Sequence, residues 1–205
     1  MRNRLNLSAA VLIPLLLAAC VDGKTPTATA DHNDEQIRVE NECNQRQLEA
    51  LIAEIDPHVR YAADGSWALA PGAKLSPAAA EFARQAHAAS MKALAGRVQL
   101  SRSGEPRFTT VANQSGIRFY WWGARVSVPS RATQGIAYAW RTSGAPAAVK
   151  TFLSYFGYSG WAVGVAGVLV PAYALTIGYI DRVGGYRGVY MHVPWSIVPT
   201  YITPQ

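Results

Sequence analysis

Thirty consecutive residues, Thr151 to Ile180, carry no formal charge, in a chain where 16% of residues are charged. A helix that is apolar on every side belongs either at the centre of a core or across a bilayer. The pattern predicts a helix from about Pro146 to Phe156, a turn through Gly157-Tyr158-Ser159-Gly160, and a second, very apolar helix from Trp161 to Ile180. Twenty residues match a hydrocarbon core of about 30 Å. Gly160 and Gly164 form a small-xxx-small pair, Trp161 and Tyr179 stand where interfacial aromatics would, and Arg182 and Arg187 follow at once. Pro171 argues against a span, because it removes the N–H that would bond back to Gly167 and crowds that carbonyl. The expectation is a core hairpin, kinked or broken near Pro171, with Gly164 on its buried side and 161–180 as the membrane-sensitive element.

What surrounds this run sets the fold class. From Pro106 to Gln205 there are eight Lys/Arg against a single acid, Asp181, and 18 of the 21 aromatics lie after residue 105. From Cys20 to Glu105 the balance reverses, nine against twelve. A basic aromatic half therefore follows a mildly acidic, helix-prone one. In the acidic half, Leu48, Leu51, Ile52 and Ile55 recur at helical spacing over 41–55, and Asp56-Pro57 ends that helix. Tyr61, Trp67 and Leu69 flank Asp64-Gly65 as a hairpin. Ser76-Pro77 opens a second helix, to about Leu94, with Gly96 as its stop. In the basic half, Ile117 to Val128 reads as one strand, to pair antiparallel with Gly188–Val193, and Ser130 as the N-cap of a helix to Thr142.

The fold class expected is α+β: N-terminal helices, then a small antiparallel sheet packed with an apolar helical hairpin. The domains are a signal peptide at 1–19, a tether at 20–40, a helical module with a short hairpin at 41–100 and a basic aromatic α+β domain at 106–205, joined by the Ser101–Pro106 linker.

The first twenty residues, MRNRLNLSAAVLIPLLLAAC, form an export signal: Arg2 and Arg4, an apolar run from Leu7 to Leu17, then small residues. Leu17-Ala18-Ala19-Cys20 resembles the bacterial lipoprotein lipobox, whose cysteine becomes the acylated first residue of the mature chain. That resemblance implies palmitate-type acylation of Cys20 and lipid anchoring in the cell envelope. With Val21 rather than Asp at the second mature position, it implies the outer membrane, facing the periplasm, in a diderm. Cys43 then has no partner within the chain, so a free thiol or a bridge between two copies is expected. Glu40, Glu42 and Glu49 disfavour a thiolate there.

The order of Ile55-Asp56, Asp64-Gly65, Trp67, Tyr120-Trp121-Trp122-Gly123, the Gly/Ala/Val-rich hairpin and Gly188-Val189-Tyr190 resembles small uncharacterised exported bacterial proteins. Some of these look bacteriocin-like. The resemblance covers about residues 45–205 and brings no catalytic residues.

No nucleophile elbow, zinc-binding helix, Cys-x-x-Cys or phosphate loop occurs. Gly160, Gly164 and Gly167 lack the strand-to-turn setting of a nucleotide fingerprint. Asp31, His32, Asp34 and Glu35 read as a hydrated charge run rather than a metal site. An Asp181–His192 pair is conceivable, but an ion pair of Asp181 with Arg182 or Arg187 is favoured. Neither a cofactor nor nucleic acid is expected as a partner, and the reading is non-enzymatic. Membrane or partner contact is assigned to Trp121, Trp122, Trp161, Arg182 and Arg187. The alternative is a lipoprotein that binds another envelope protein as an immunity or assembly factor.

Overall fold

A computed structural model describes residues 30–95, 116–157, 160–196 and 200–205. The signal peptide, Cys20, the first part of the tether, Gly96 and the Ser101–Pro106 linker lie outside the described residues.

Helix α1 spans Ala30–Ile55, so residues 30–40, expected as tether, are helical. Arg38 explains part of this, bridging to Glu35 and Glu42 one turn away on either side. Asn41, Leu48 and Ile55 are buried at seven-residue spacing and form the inner stripe. A short 3-10 turn containing Pro57 ends the helix and leads into β1 (Val59–Tyr61), which pairs antiparallel with β2 (Trp67–Leu69). Helix α2 (Pro77–Ala95) is capped as the sequence predicts, Ser76 Oγ accepting the Ala79 N–H at 3.2 Å. The Ser76 hydroxyl also donates to Glu54 of α1, fixing one helix against the other.

The expected strand from Ile117 to Val128 is instead a hairpin. β3 (Ile117–Tyr120) and β4 (Gly123–Val128) pair antiparallel, and Trp121 and Trp122 make the turn between them. Gly123 forces this outcome. Its φ is +159°, and a Cβ there would lie 2.1 Å from the Val193 carbonyl oxygen. β4 then pairs antiparallel with β5 (Val189–Pro194), as expected, and β5 with β6 (Tyr201–Pro204), giving the order β3-β4-β5-β6.

The helical hairpin is inserted between β4 and β5. Helix α3 (Ser130–Phe156) is interrupted at Gly144, with φ 75° and ψ −168°, so its two pieces match the predicted helices on either side of Pro146. Helix α4 (Gly160–Val183) runs through Pro171 without a break. Gly167, whose carbonyl loses its donor at Pro171, is exposed, so water can take that place. One face of α4 (Ala166, Leu169, Val170, Ala174, Ile177) packs with α3 against Val126, Met191, Val193 and Ile202 of the sheet. Each Val, Leu or Ile buried there contributes roughly 1.5–3 kcal/mol.

The opposite face of the sheet carries a second core, in which Trp121, Trp122 and Tyr201 meet Leu48 and Ile55 of α1, Phe82 of α2 and Trp67 of the small hairpin. The two modules expected as separate domains therefore share one core. The result is a three-layer α+β fold, with α3/α4 on one side of a four-stranded sheet and α1, α2 and the hairpin on the other.

Candidate membrane-contact surface

Asp181, the single acid of the basic half, is fully buried near the end of α4. Its Oδ2 accepts from Ser130 Oγ at 2.8 Å, Thr133 Oγ1 at 2.6 Å and Gln134 Nε2 at 2.7 Å, and its Oδ1 from the Gly188 N–H at 2.8 Å. Burial opposes its ionisation, but the donors outweigh it and hold the carboxyl below its ordinary range. The carboxylate also faces the positive end of α3. The expected ion pair to Arg182 or Arg187 is therefore absent; neutral donors at the start of α3 take that role. Ser130, expected as an N-cap, makes no side-chain cap and spends its hydroxyl on Asp181.

His192 does not meet Asp181. It lies in a cross-strand row with Arg125 and Tyr201, stacks on Tyr201 at 4.2 Å between ring centroids, and is 3.3 Å from Thr203 Oγ1. Burial, and then the Arg125 charge, lower its pKa to about 4. Arg125 itself lies over the rings of Tyr190 and Tyr120, at 5.0 and 6.0 Å. Asp181 thus ties α4 to α3, and His192 packs between neighbours in the sheet.

The residues assigned to contact divide into two groups. Trp121 is fully buried against Trp67 and Phe82, its indole N–H donating to Asp56 Oδ1 at 2.8 Å. Trp122 is buried between the rings of Tyr120 and His192. Both belong to the core, because the turn they form is covered by α1 and α2, and neither can touch a partner. The Trp161 side chain lies outside the described residues. Arg182 and Arg187 are exposed; Arg182 pairs with Asp34 of α1 at 2.6 Å and lies over the Tyr179 ring at 5.5 Å.

Among the exposed apolar side chains that sequence reasoning missed, which include Tyr138 and Tyr155 of α3, Val183 and Tyr186 are 60% and 58% exposed beside those two arginines. The signal for them was present in Gly184-Gly185-Tyr186-Arg187-Gly188, an aromatic–cation pair held between glycines. Gly164, expected to be buried, is exposed on the outer side of α4, and a Cβ added there would meet nothing within 4 Å.

Among the described residues, no helix is long and apolar enough to cross a membrane, and no group of three or more His, Cys, Asp or Glu could hold a metal ion. Cys43 is buried and disulfide-bonded, in place of the expected free thiol. The only other cysteine in the chain is Cys20. No family model, curated protein or solved structure matches this chain.

Proposed function

We propose that this is a non-enzymatic envelope protein, held on a bilayer by acylated Cys20 and working at the membrane surface through its basic aromatic half. The observation that carries this reading is the Leu17-Ala18-Ala19-Cys20 sequence directly behind an apolar run of signal length. Two acyl chains or more give stable anchoring, at about 0.8 kcal/mol per buried CH₂. The burial of one face of α4 in the core supports surface residence, since a helix committed to a sheet cannot also cross lipid.

A second reading has its own observation, the disulfide at Cys43. The Cys20 sulfur cannot carry both a thioether-linked lipid and a bridge to Cys43. If Cys20 completes that bridge, the protein is exported without an anchor and the bond ties the chain ahead of α1 onto α1.

One experiment separates the two. Expression in a diderm host with a fatty-acid analogue should label the wild type but not Cys20→Ala, and the wild type should partition into detergent. An unlabelled wild type whose intact mass shows one internal disulfide would overturn the anchored reading in favour of the bridged one.

A further inference from the structure

The end of α4 is built to hold one aromatic side chain outward. Gly185 has φ 78° and donates to the Arg182 carbonyl at 3.2 Å, while the Tyr186 N–H bonds back five residues to the Asp181 carbonyl at 2.8 Å. This is a Schellman ending, in which the residue at the position of Tyr186 commonly packs back on the helix. Here the residue beneath it is the buried, fully bonded Asp181, and Tyr186 instead points to solvent, 58% exposed. Tyr186 also has φ 58°, the one non-glycine residue with positive φ among those described. A bulky side chain in the left-handed region stores about 1–2 kcal/mol of strain. The turn holding it is rigid: the Gly188 N–H is held by Asp181 Oδ1, and the Gly188 carbonyl by the Gln205 N–H at 3.0 Å. Val183 and Arg187 project from the same turn, and Arg187 forms no ion pair with any described residue.

The position of the turn relative to the anchor gives it an occupant. Arg182 bonds Asp34, in the second turn of α1, so the root of the N-terminal tether lies beside the α4–β5 turn. The ten peptide steps from Cys20 to Ala30 reach at most about 35 Å when fully extended. The other exposed valines of α4, Val163 and Val168, lie about 30 and 22 Å further along the helix. Among the exposed apolar side chains of α4, Val183, next to the Arg182 that bonds Asp34, is the nearest to the tether's root.

We propose that the α4–β5 turn, Val183 to Arg187, is the face that the anchored protein lays on the bilayer, with Val183 and the Tyr186 ring among the lipid headgroups and Arg187 at phosphate level. Tyrosine suits that depth because its ring is apolar and its hydroxyl polar, and an arginine near anionic headgroups adds about 1 kcal/mol. This rests on the anchored reading of Cys20.

The test places the mature, acylated chain in phosphatidylglycerol-containing nanodiscs doped with a headgroup-nitroxide lipid and follows valine methyl signals by NMR. The Val183 methyls should lose most of their intensity, while those of Val163 and Val168 keep theirs. Tyr186→Gly should restore the Val183 signal without lowering the melting temperature, because glycine accepts the positive φ at no steric cost. A chain that stays on the nanodisc but is broadened at Val163 or Val168, or at no valine, overturns this surface and leaves the anchor standing. A chain that does not co-migrate with the nanodisc overturns both.

Discussion

The Asn41 carboxamide pairs with the backbone of Ile202 as a neighbouring strand would, its Nδ2 donating to the Ile202 carbonyl at 2.8 Å and its Oδ1 accepting the Ile202 N–H at 2.7 Å. β6 is the last strand of the sheet, and here a helix side chain closes its open edge.

Removing that carboxamide strands two buried backbone groups, each costing about 1–3 kcal/mol when unmet. Asn41→Ala is therefore expected to lower stability by about 2–4 kcal/mol. Asn41→Asp keeps the acceptor but places an anion against the Ile202 carbonyl, and should not rescue it. Urea denaturation checks both; an unchanged midpoint in Asn41→Ala would show that the edge is not closed by this contact.

Acid stability should depend on Asp181. Its folded pKa lies below its unfolded value, so the stabilisation is present above about pH 4, where the unfolded carboxyl is ionised. It is lost as pH falls further through the folded pKa. Asp181→Asn removes both the charge and one acceptor, and is expected to destabilise at neutral pH while flattening the stability profile below about pH 4. Melting temperatures at stepped pH would reveal either result.

His192 acts in the window above. Its pKa is depressed to about 4 in the fold, against 6.5 ordinarily. The unfolded chain therefore binds more protons across that interval, and stability is full above about pH 6.5 and lost as pH falls towards 4. Arg125 faces it across the sheet, and Glu49 reaches the same row through the Tyr201 hydroxyl at 3.4 Å. His192→Phe retains a ring to stack on Tyr201 and should flatten the profile between pH 6.5 and 4. A slope identical to wild type would mean that the fold does not lower the pKa of His192.

Two glycines of α4 should respond in opposite directions. Gly164 is open on its outer side, so Gly164→Ala is expected to stabilise by about 0.5–1 kcal/mol through helix propensity alone. Gly178 is buried, and a Cβ there would lie 2.7 Å from that of Ala137. Gly178→Ala should therefore cost about 1–3 kcal/mol. Thermal unfolding of the pair decides it, and equal shifts would be inconsistent with this packing of α4 on α3.

These contrasts mark what periodicity can and cannot reveal. The helical spacing of Leu48, Leu51, Ile52 and Ile55, the Asp64-Gly65 turn and Ser76-Pro77 were legible because each is a local pattern, and the pairing of β4 with β5 was legible because two strand-forming runs flank the apolar hairpin. The Trp121–Trp122 turn was not: a run of aromatic and β-branched residues looks like one strand until Gly123 is seen to lie against the Val193 carbonyl, a long-range contact. Nor was the inner face of α4 legible, since valine, alanine and glycine occur all round the helix and hydropathy does not distinguish the sides. Asp181 was misassigned for a related reason. Charge counting offers it arginines, whereas the fold brings it three neutral side chains about fifty residues away.

The Asn41–Ile202 pairing also sets an order of events. A chain made from its N-terminus delivers α1 long before β6, so α1 has no edge to close until about 160 further residues have been added. Trp121 and Tyr201, which complete the core around Leu48 and Ile55, also arrive late. The N-terminal helices therefore complete their core only once residues more than sixty positions further along the chain are in place, so their stability is set by strands that are made after them.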